Sequence, residues 1–174
     1  MKRIVTLIAI VAALCSFTMA GLKPVDKEDA VTFVIKNFGL NTKGSLAGLK
    51  GTLKWDAANP AASQISATVD VNTINTNIDS RDNHLKEDSY FDVAKYPTIS
   101  FNSTAISATS ITGNLTIKGT TKAVTFPITV TPSGKGYLFH GEFTINRRDF
   151  GVGGGSMVLG EDVKVTLNVQ ADPA

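Results

Sequence analysis

From Ala30 onward, apolar and polar residues alternate with a period of two, the mark of strands that bury one face and wet the other. Val31, Phe33 and Ile35 alternate with Thr32, Val34 and Lys36; Leu49, Gly51, Leu53 and Trp55 alternate with Lys50, Thr52, Lys54 and Asp56. The same rule runs through 65–71, 99–101, 111–117, 124–130, 137–145 and 163–169, which makes eight candidate strands. Eight half-buried strands joined by short turns such as 132–136 predict an all-β fold, either a closed antiparallel barrel or a sandwich. The barrel is the preferred reading, because closure removes unprotected strand edges.

Periodicity alone does not say which face points inward. An outer-membrane barrel would turn its apolar face to lipid and keep a polar lumen. The polar face here carries Lys36, Lys50, Lys54, Asp70 and Lys164, and charges facing lipid on that scale are costly, so a barrel with its apolar side inward is expected. Gly51, Gly113 and Gly141 fall on the apolar face. A glycine weakens a strand unless the missing side chain serves something, so these positions either bend strands or leave space inside.

One connection breaks the rhythm: about 25 residues separate Val71 from Thr98, too many for a plain hairpin. Thr76-Asn77-Ile78-Asp79 fits a capping box, Ile78 and Leu85 share a helical face, and Lys86 suits a helix C-terminus. A helix over 79–86 follows, with a second turn over 89–95 stopped by Tyr96-Pro97. This insertion between the third and fourth strands is expected to lie across one mouth of the barrel.

The N-terminus changes the compartment. Lys2 and Arg3 precede an uncharged run over 4–19 that ends at the small pair Ala20-Gly21, the layout of a secretory signal peptide cleaved after Ala20; the run is too short for a transmembrane anchor. Cys15 suggests a lipoprotein acceptor, but Leu14 precedes it where processing prefers a small residue. Cleavage removes the single cysteine, so the mature domain, 21–174, has no thiol chemistry. It also removes Lys2 and Arg3 from the 17 basic residues, which leaves the mature charge balanced against 15 acidic ones. That is no footprint for nucleic acid. Oligomeric state is left open, a homodimer being one option.

Candidate chemistry is thin. Asp82, His84 and a serine could be assembled into a triad, but no serine sits in a nucleophile elbow, and residues two apart on a helix point in different directions. Two histidines, His84 and His140, and no mature cysteine make a poor metal site. No cofactor is expected. The run 151–156, Gly-Val-Gly-Gly-Gly-Ser, lacks a P-loop lysine and a following helix; it reads as a mobile or tightly turned segment, or a lid. The acceptor patterns Asn102-Ser103-Thr104 and Asn114-Leu115-Thr116 would be idle if the protein is bacterial. Arg147 and Arg148 end the seventh candidate strand; on a strand they point to opposite sides, so one can turn inward to a lipid head or pair with Asp149 or Asp82.

A resemblance goes beyond pattern. Arg81-Asp82-Asn83-His84-Leu85-Lys86, then Tyr90-Phe91-Asp92-Val93 and Lys95-Tyr96-Pro97-Thr98-Ile99-Ser100-Phe101, is similar to the central signature of the YceI-like, polyisoprenoid-binding family. Segments 31–37, 48–56, 113–122 and 145–152 agree in family order. The resemblance implies a lipocalin-like barrel of eight strands with a helical insertion, periplasmic or secreted, that encloses a long-chain isoprenoid or a similar amphiphile. A quinone-like lipid is an equal candidate for such an interior, and the thin candidate chemistry leaves no catalysis expected. Many members carry histidine where this chain has Asn37.

An eight-stranded barrel is wide enough for its own side chains or one slender ligand. Phe33, Ile35, Leu53, Trp55, Val69 and Val71 are the expected tail-lining residues from the first strands. Phe101, Leu115, Phe126, Phe139, Gly141 and Phe143 complete the set. Burying about 400 Å² of tail would give on the order of 10 kcal/mol before ordering costs, so polar groups need only orient the head; Arg81, His84 and Arg147 are the candidates. The competing function is a non-enzymatic interaction or stress-response module whose barrel is filled.

Overall fold

The structure is a computed structural model describing residues 20–174. Apart from Ala20, the expected signal peptide, with Cys15, lies outside the described residues. Ten strands form one antiparallel sheet: β1 (Ala20–Pro24), β2 (Val31–Asn37), β3 (Leu40–Leu46), β4 (Lys50–Trp55), β5 (Gln64–Asp70), β6 (Thr98–Ile106), β7 (Ser110–Ile117), β8 (Thr120–Ser133), β9 (Gly136–Asn146) and β10 (Leu159–Pro173). The order β1-β4-β5-β6-β7-β8-β9-β10 closes through a β1–β10 pairing into the expected eight-stranded barrel.

β1 and β3 come from broken strands. The first half of β10 pairs with β2 and its end with β1, while β2 pairs with β3 and β1 with β4. The two breaks are pinned together: the Asp26 carboxylate accepts the Gly48 and Leu49 N–H groups, both at 3.0 Å. Beyond the break β3 pairs with β2 alone among the strands, lends Thr42 and Leu46 to the inner wall, and meets the insertion at its outer edge through a single bridge, Ser45–Asn75.

The inner face is the apolar one. Leu22, Leu53, Trp55, Ile111, Phe126, Phe139 and Ala171 form a buried cluster, while Lys36, Lys50, Lys54 and Lys164 are exposed on the outer face. A second cluster, of Ala30, Leu46, Leu49, Val69 and Ile74, packs Leu85 and Phe91 of the insertion against the wall. No helix among the described residues is long and apolar enough to cross a membrane.

The insertion carries α1 (Asp79–Lys86), followed by hydrogen-bonded turns up to Lys95. The expected capping box does not form. Ile78 is the N-cap residue and supplies no side-chain bond. Thr76 instead gives its N–H (2.9 Å) and its hydroxyl to Asp82, which is buried.

Candidate functional site

Inside the barrel lies a cavity of about 260 Å³, close to the low end of the roughly 300–1,000 Å³ usual for small-molecule sites. Aromatic side chains make one wall: Phe126 stacks on Phe143 at 4.5 Å between centroids and meets Phe101 at 5.8 Å. Leu85, Tyr90 and Phe91 of the insertion border the cavity, and so do Phe150 and, from the Gly-rich segment that follows it, Val152.

Of the expected tail-lining residues, Phe33, Ile35, Leu53, Val69 and Phe101 stand on the cavity wall, and so do Leu115, Phe126, Phe139, Gly141 and Phe143. Trp55 and Val71 do not. Trp55 is buried at one end of the barrel, edge-on to Tyr137 and Phe139, and its indole N–H finds no acceptor among the described residues. Val71 is lost to the wall because β5 stops at Asp70, whose side chain accepts the Asn72 N–H at 2.9 Å. That Asx turn throws the chain into a 3-10 turn, Val71–Thr73, and buries Val71 outside the cavity.

The three expected head-group residues part company. Arg81 borders the cavity and is braced on Thr76, its Nε donating to Oγ1 and its Nη2 to the backbone carbonyl, both at 2.7 Å. His84 is off the wall: it is exposed, 2.9 Å from Glu87 and edge-on to Tyr90. Asp82 and His84 therefore serve separate contacts and assemble no triad.

Arg147 is at the cavity but not on a strand. The Asn146 side chain accepts the Arg148 N–H at 2.9 Å and starts a 3-10 turn, Arg147–Phe150, that Gly151 ends in the left-handed conformation. Arg147 is 5% exposed and pairs with neither Asp149 nor Asp82. Its guanidinium donates to the carbonyls of Val152 (2.7 Å), Gly160 (2.9 Å) and Leu159 (3.5 Å), so it ties both ends of the Gly-rich loop. The ion pair falls to Arg148, which meets Glu161 at 3.1 Å. The loop is tightly turned: Gly153 has φ +68°, lies against Tyr90 and Arg147, and gives its N–H to the Ser89 carbonyl at 3.0 Å.

Among the described residues no aspartate, glutamate or lysine borders the cavity; its lining is mostly apolar, with Arg81 and Arg147 as its two arginines and Thr42, Thr76 and His140 among its other polar residues. Asn37 borders it too.

The family model described as YceI-like domain matches residues 24–171. The chain belongs to the YceI-like family. Its relatives include a UPF0312 protein of Pseudomonas aeruginosa, 34% identical over 169 residues and covering 87% of each chain. A UPF0312 protein of Pseudomonas syringae is 35% identical over 171 residues, covering 88% of this chain and 89% of that one. Among solved structures, Burkholderia cenocepacia BcnA superposes with a TM-score of 0.75 at 28% identity over 80% of this chain and 93% of its own. A polyisoprenoid binding domain from Saccharophagus degradans superposes with a TM-score of 0.68 over 90% of this chain and all of its own; at 15% identity, this likeness is one of fold. The YceI-like barrel and its insertion thus agree with the expectation drawn from 81–101.

Proposed function

We propose that this YceI-like protein is exported and holds a long-chain isoprenoid, a quinone or a similar amphiphilic lipid inside its barrel, without chemical change to it. The observation that carries the reading is the cavity: a mostly apolar lining that, among the described residues, has no carboxylate or lysine and includes two arginines. An apolar chain would be driven in by burial against Phe101, Phe126 and Phe143, and a polar or anionic head would be oriented by Arg81, with Arg147 as the second cation. The fold shared with a polyisoprenoid binding domain supports the same ligand class.

Export rests on Lys2, Arg3, the uncharged run and Ala20-Gly21, with the periplasm or the medium as the destination. N-terminal sequencing of protein recovered outside the cytoplasm should begin at Gly21, and retained Met1 would refute the cleavage. The ligand itself is tested by organic extraction and mass spectrometry of protein purified from its exporting host. A stoichiometric lipid is expected; repeated recovery of an empty, folded barrel would favour the competing interaction module.

A further inference from the structure

Among the described residues five large apolar side chains are exposed: Phe38, Leu40, Ile78, Met157 and Val158. Four of them sit on two adjoining segments. Phe38 is in the β2–β3 turn and Leu40 opens β3, while Met157 and Val158 end the Gly-rich loop before β10. The Phe38 N–H donates to the Val158 carbonyl at 2.8 Å, and Asn37 is the register partner of Leu159. Asn37 and Leu159 both border the cavity, so the apolar tip adjoins the cavity wall.

Phe38 is the most telling of the four. With Gly39 it forms a two-residue hairpin turn between the paired Asn37 and Leu40, at φ +50° and +77°. Such a turn favours Asn-Gly or Gly-Gly, and a bulky residue at positive φ is an outlier. Strain of this kind persists where something else requires the residue. The Lys118-Gly119 turn has the same backbone, at φ +48° and +73°, and there the reason lies inside the fold: Lys118 Nζ reaches the carbonyls of Asp88 (2.7 Å) and Gly151 (3.1 Å). Phe38 has no comparable anchor; it is 73% exposed, as is Leu40. Neither the turn nor the core calls for a phenylalanine there.

Charge points the same way. Lys36 and Lys43, on the stems of this hairpin, are exposed and belong to none of the ion pairs among the described residues, which are His84–Glu87, Arg148–Glu161 and Lys164–Glu142. Of the two acidic residues in the facing bulge of β10, Glu161 is engaged by Arg148 and Asp162 is exposed, so the two lysines outnumber the one unpaired carboxylate. Apolar tips flanked by free lysines match the interface of an anionic bilayer, where apolar side chains sink below the headgroups and cations stay among them.

We propose that this rim docks the protein on a lipid bilayer, with Phe38, Leu40, Met157 and Val158 inserted and Lys36 and Lys43 on anionic headgroups. The rim of the barrel next to the cavity is then held at the membrane. If the ligand reading above holds, an apolar chain could pass between bilayer and barrel with little exposure to water. A second copy of this chain fits the patch less well. Four side chains on two loop tips offer less than the roughly 800 Å² per partner of a standard interface, and a two-fold pairing would bring the same lysines toward one another.

The test is flotation of protein purified after expression of the whole chain. One set of vesicles contains phosphatidylethanolamine and phosphatidylglycerol, the other phosphatidylcholine alone. The protein should float with the anionic vesicles and lose binding as salt rises. The Phe38→Asn/Leu40→Ser variant should lose about tenfold or more of its bound fraction with no fall in thermal midpoint, since asparagine suits the turn. Its extracted lipid content should equal that of the unaltered protein. Lys36→Glu/Lys43→Glu should abolish the anionic preference. Equal flotation of the Phe38→Asn/Leu40→Ser variant, or no flotation of the unaltered protein, would overturn the proposal. So would a dimer that this variant converts to monomer in the absence of vesicle binding. Lipid extraction reads the ligand separately: a barrel that floats yet yields no lipid refutes the ligand reading and leaves the docking surface standing.

Discussion

Phe33 lies directly across from Gly44 in the β2–β3 register, and its ring fills the place that a side chain at 44 would need. A Cβ at 44 would fall nearest Phe33 Cζ, with Cε1 at 2.8 Å and Cε2 at 2.9 Å next. The arrangement recurs diagonally, with Phe101 over Gly113 and Phe126 against Gly141. These glycines seat phenylalanine rings along the wall, in the manner of aromatic rescue of strand glycines. Gly51 differs: a Cβ there would meet the backbone of Ser66 and Ala67 on β5.

Gly44→Ala should therefore push the Phe33 ring toward the cavity and cost about 1 to 3 kcal/mol. In a Phe33→Leu background much of that cost should vanish, giving a coupling of at least about 0.5 kcal/mol. A double-mutant cycle by urea unfolding, followed through the single tryptophan, Trp55, measures it; additive costs would mean that the ring does not fill the space.

The strands were legible because one-sided burial leaves a period of two, and each of the eight alternating runs became a strand. β3 was hidden because its alternate positions are Leu40, Thr42, Gly44 and Leu46, where apolarity is supplied by Phe33 from across the sheet. β1 was hidden because only Leu22 marks it as buried. By alternation alone Asp70-Val71-Asn72 and Asn146-Arg147-Arg148 read as strand ends, though the same local chemistry turns both: an Asx side chain caps the N–H two residues on. Read that way, Val71 leaves the wall and Arg147 ceases to be a strand residue. What no local signal could show is that Arg147 would spend its donors on the carbonyls of Val152, Leu159 and Gly160, since these partners are set by the closed barrel.

Arg147 predicts a stability effect before any ligand effect. Its truncation would leave carbonyls at both ends of the Gly-rich loop without their charged donor, and Arg147→Ala should cost about 3 kcal/mol. Arg147→Lys should recover little, because one ammonium on a flexible stem does not reproduce a planar fork. Chemical unfolding together with limited proteolysis within 152–160 checks both; an unchanged midpoint for Arg147→Ala would show that the loop is held by other contacts.

Glu142 gives a pH dependence of known sign. Its carboxyl is held below the usual range, first by the hydrogen bond from Lys164 and also by that residue's charge, with smaller help from Thr166 and His140 against the cost of desolvation. A folded-state pKa below the unfolded one stabilises at pH above the unfolded value, and the gain is lost as pH falls through the folded value. The thermal midpoint of the unaltered protein should exceed that of Glu142→Gln at neutral pH, and the two should converge as the solution is acidified below about pH 4. Added salt should narrow the gap at neutral pH. A gap that persists in acid would assign it to packing instead of charge.

Gly141→Leu separates burial of a tail from orientation of a head. Gly141 borders the cavity, and a Cβ there would stand 3.2 Å from two atoms of the Phe126 ring and from the Pro127 carbonyl. That is tight, yet a small shift of the ring relieves much of it. The longer leucine side chain then projects from the cavity wall where an apolar ligand would lie. We expect a folded barrel, destabilised by about 1 to 3 kcal/mol, that has lost most of its bound lipid. Arg81→Ala should keep most of its lipid, because the apolar chain supplies most of the burial energy and a head contact mainly orients it. Thermal unfolding and extracted lipid are to be measured on the same preparation of each variant. A well-folded Gly141→Leu with its full complement of lipid would place the ligand elsewhere. Complete loss from a folded Arg81→Ala would mean that the head governs affinity.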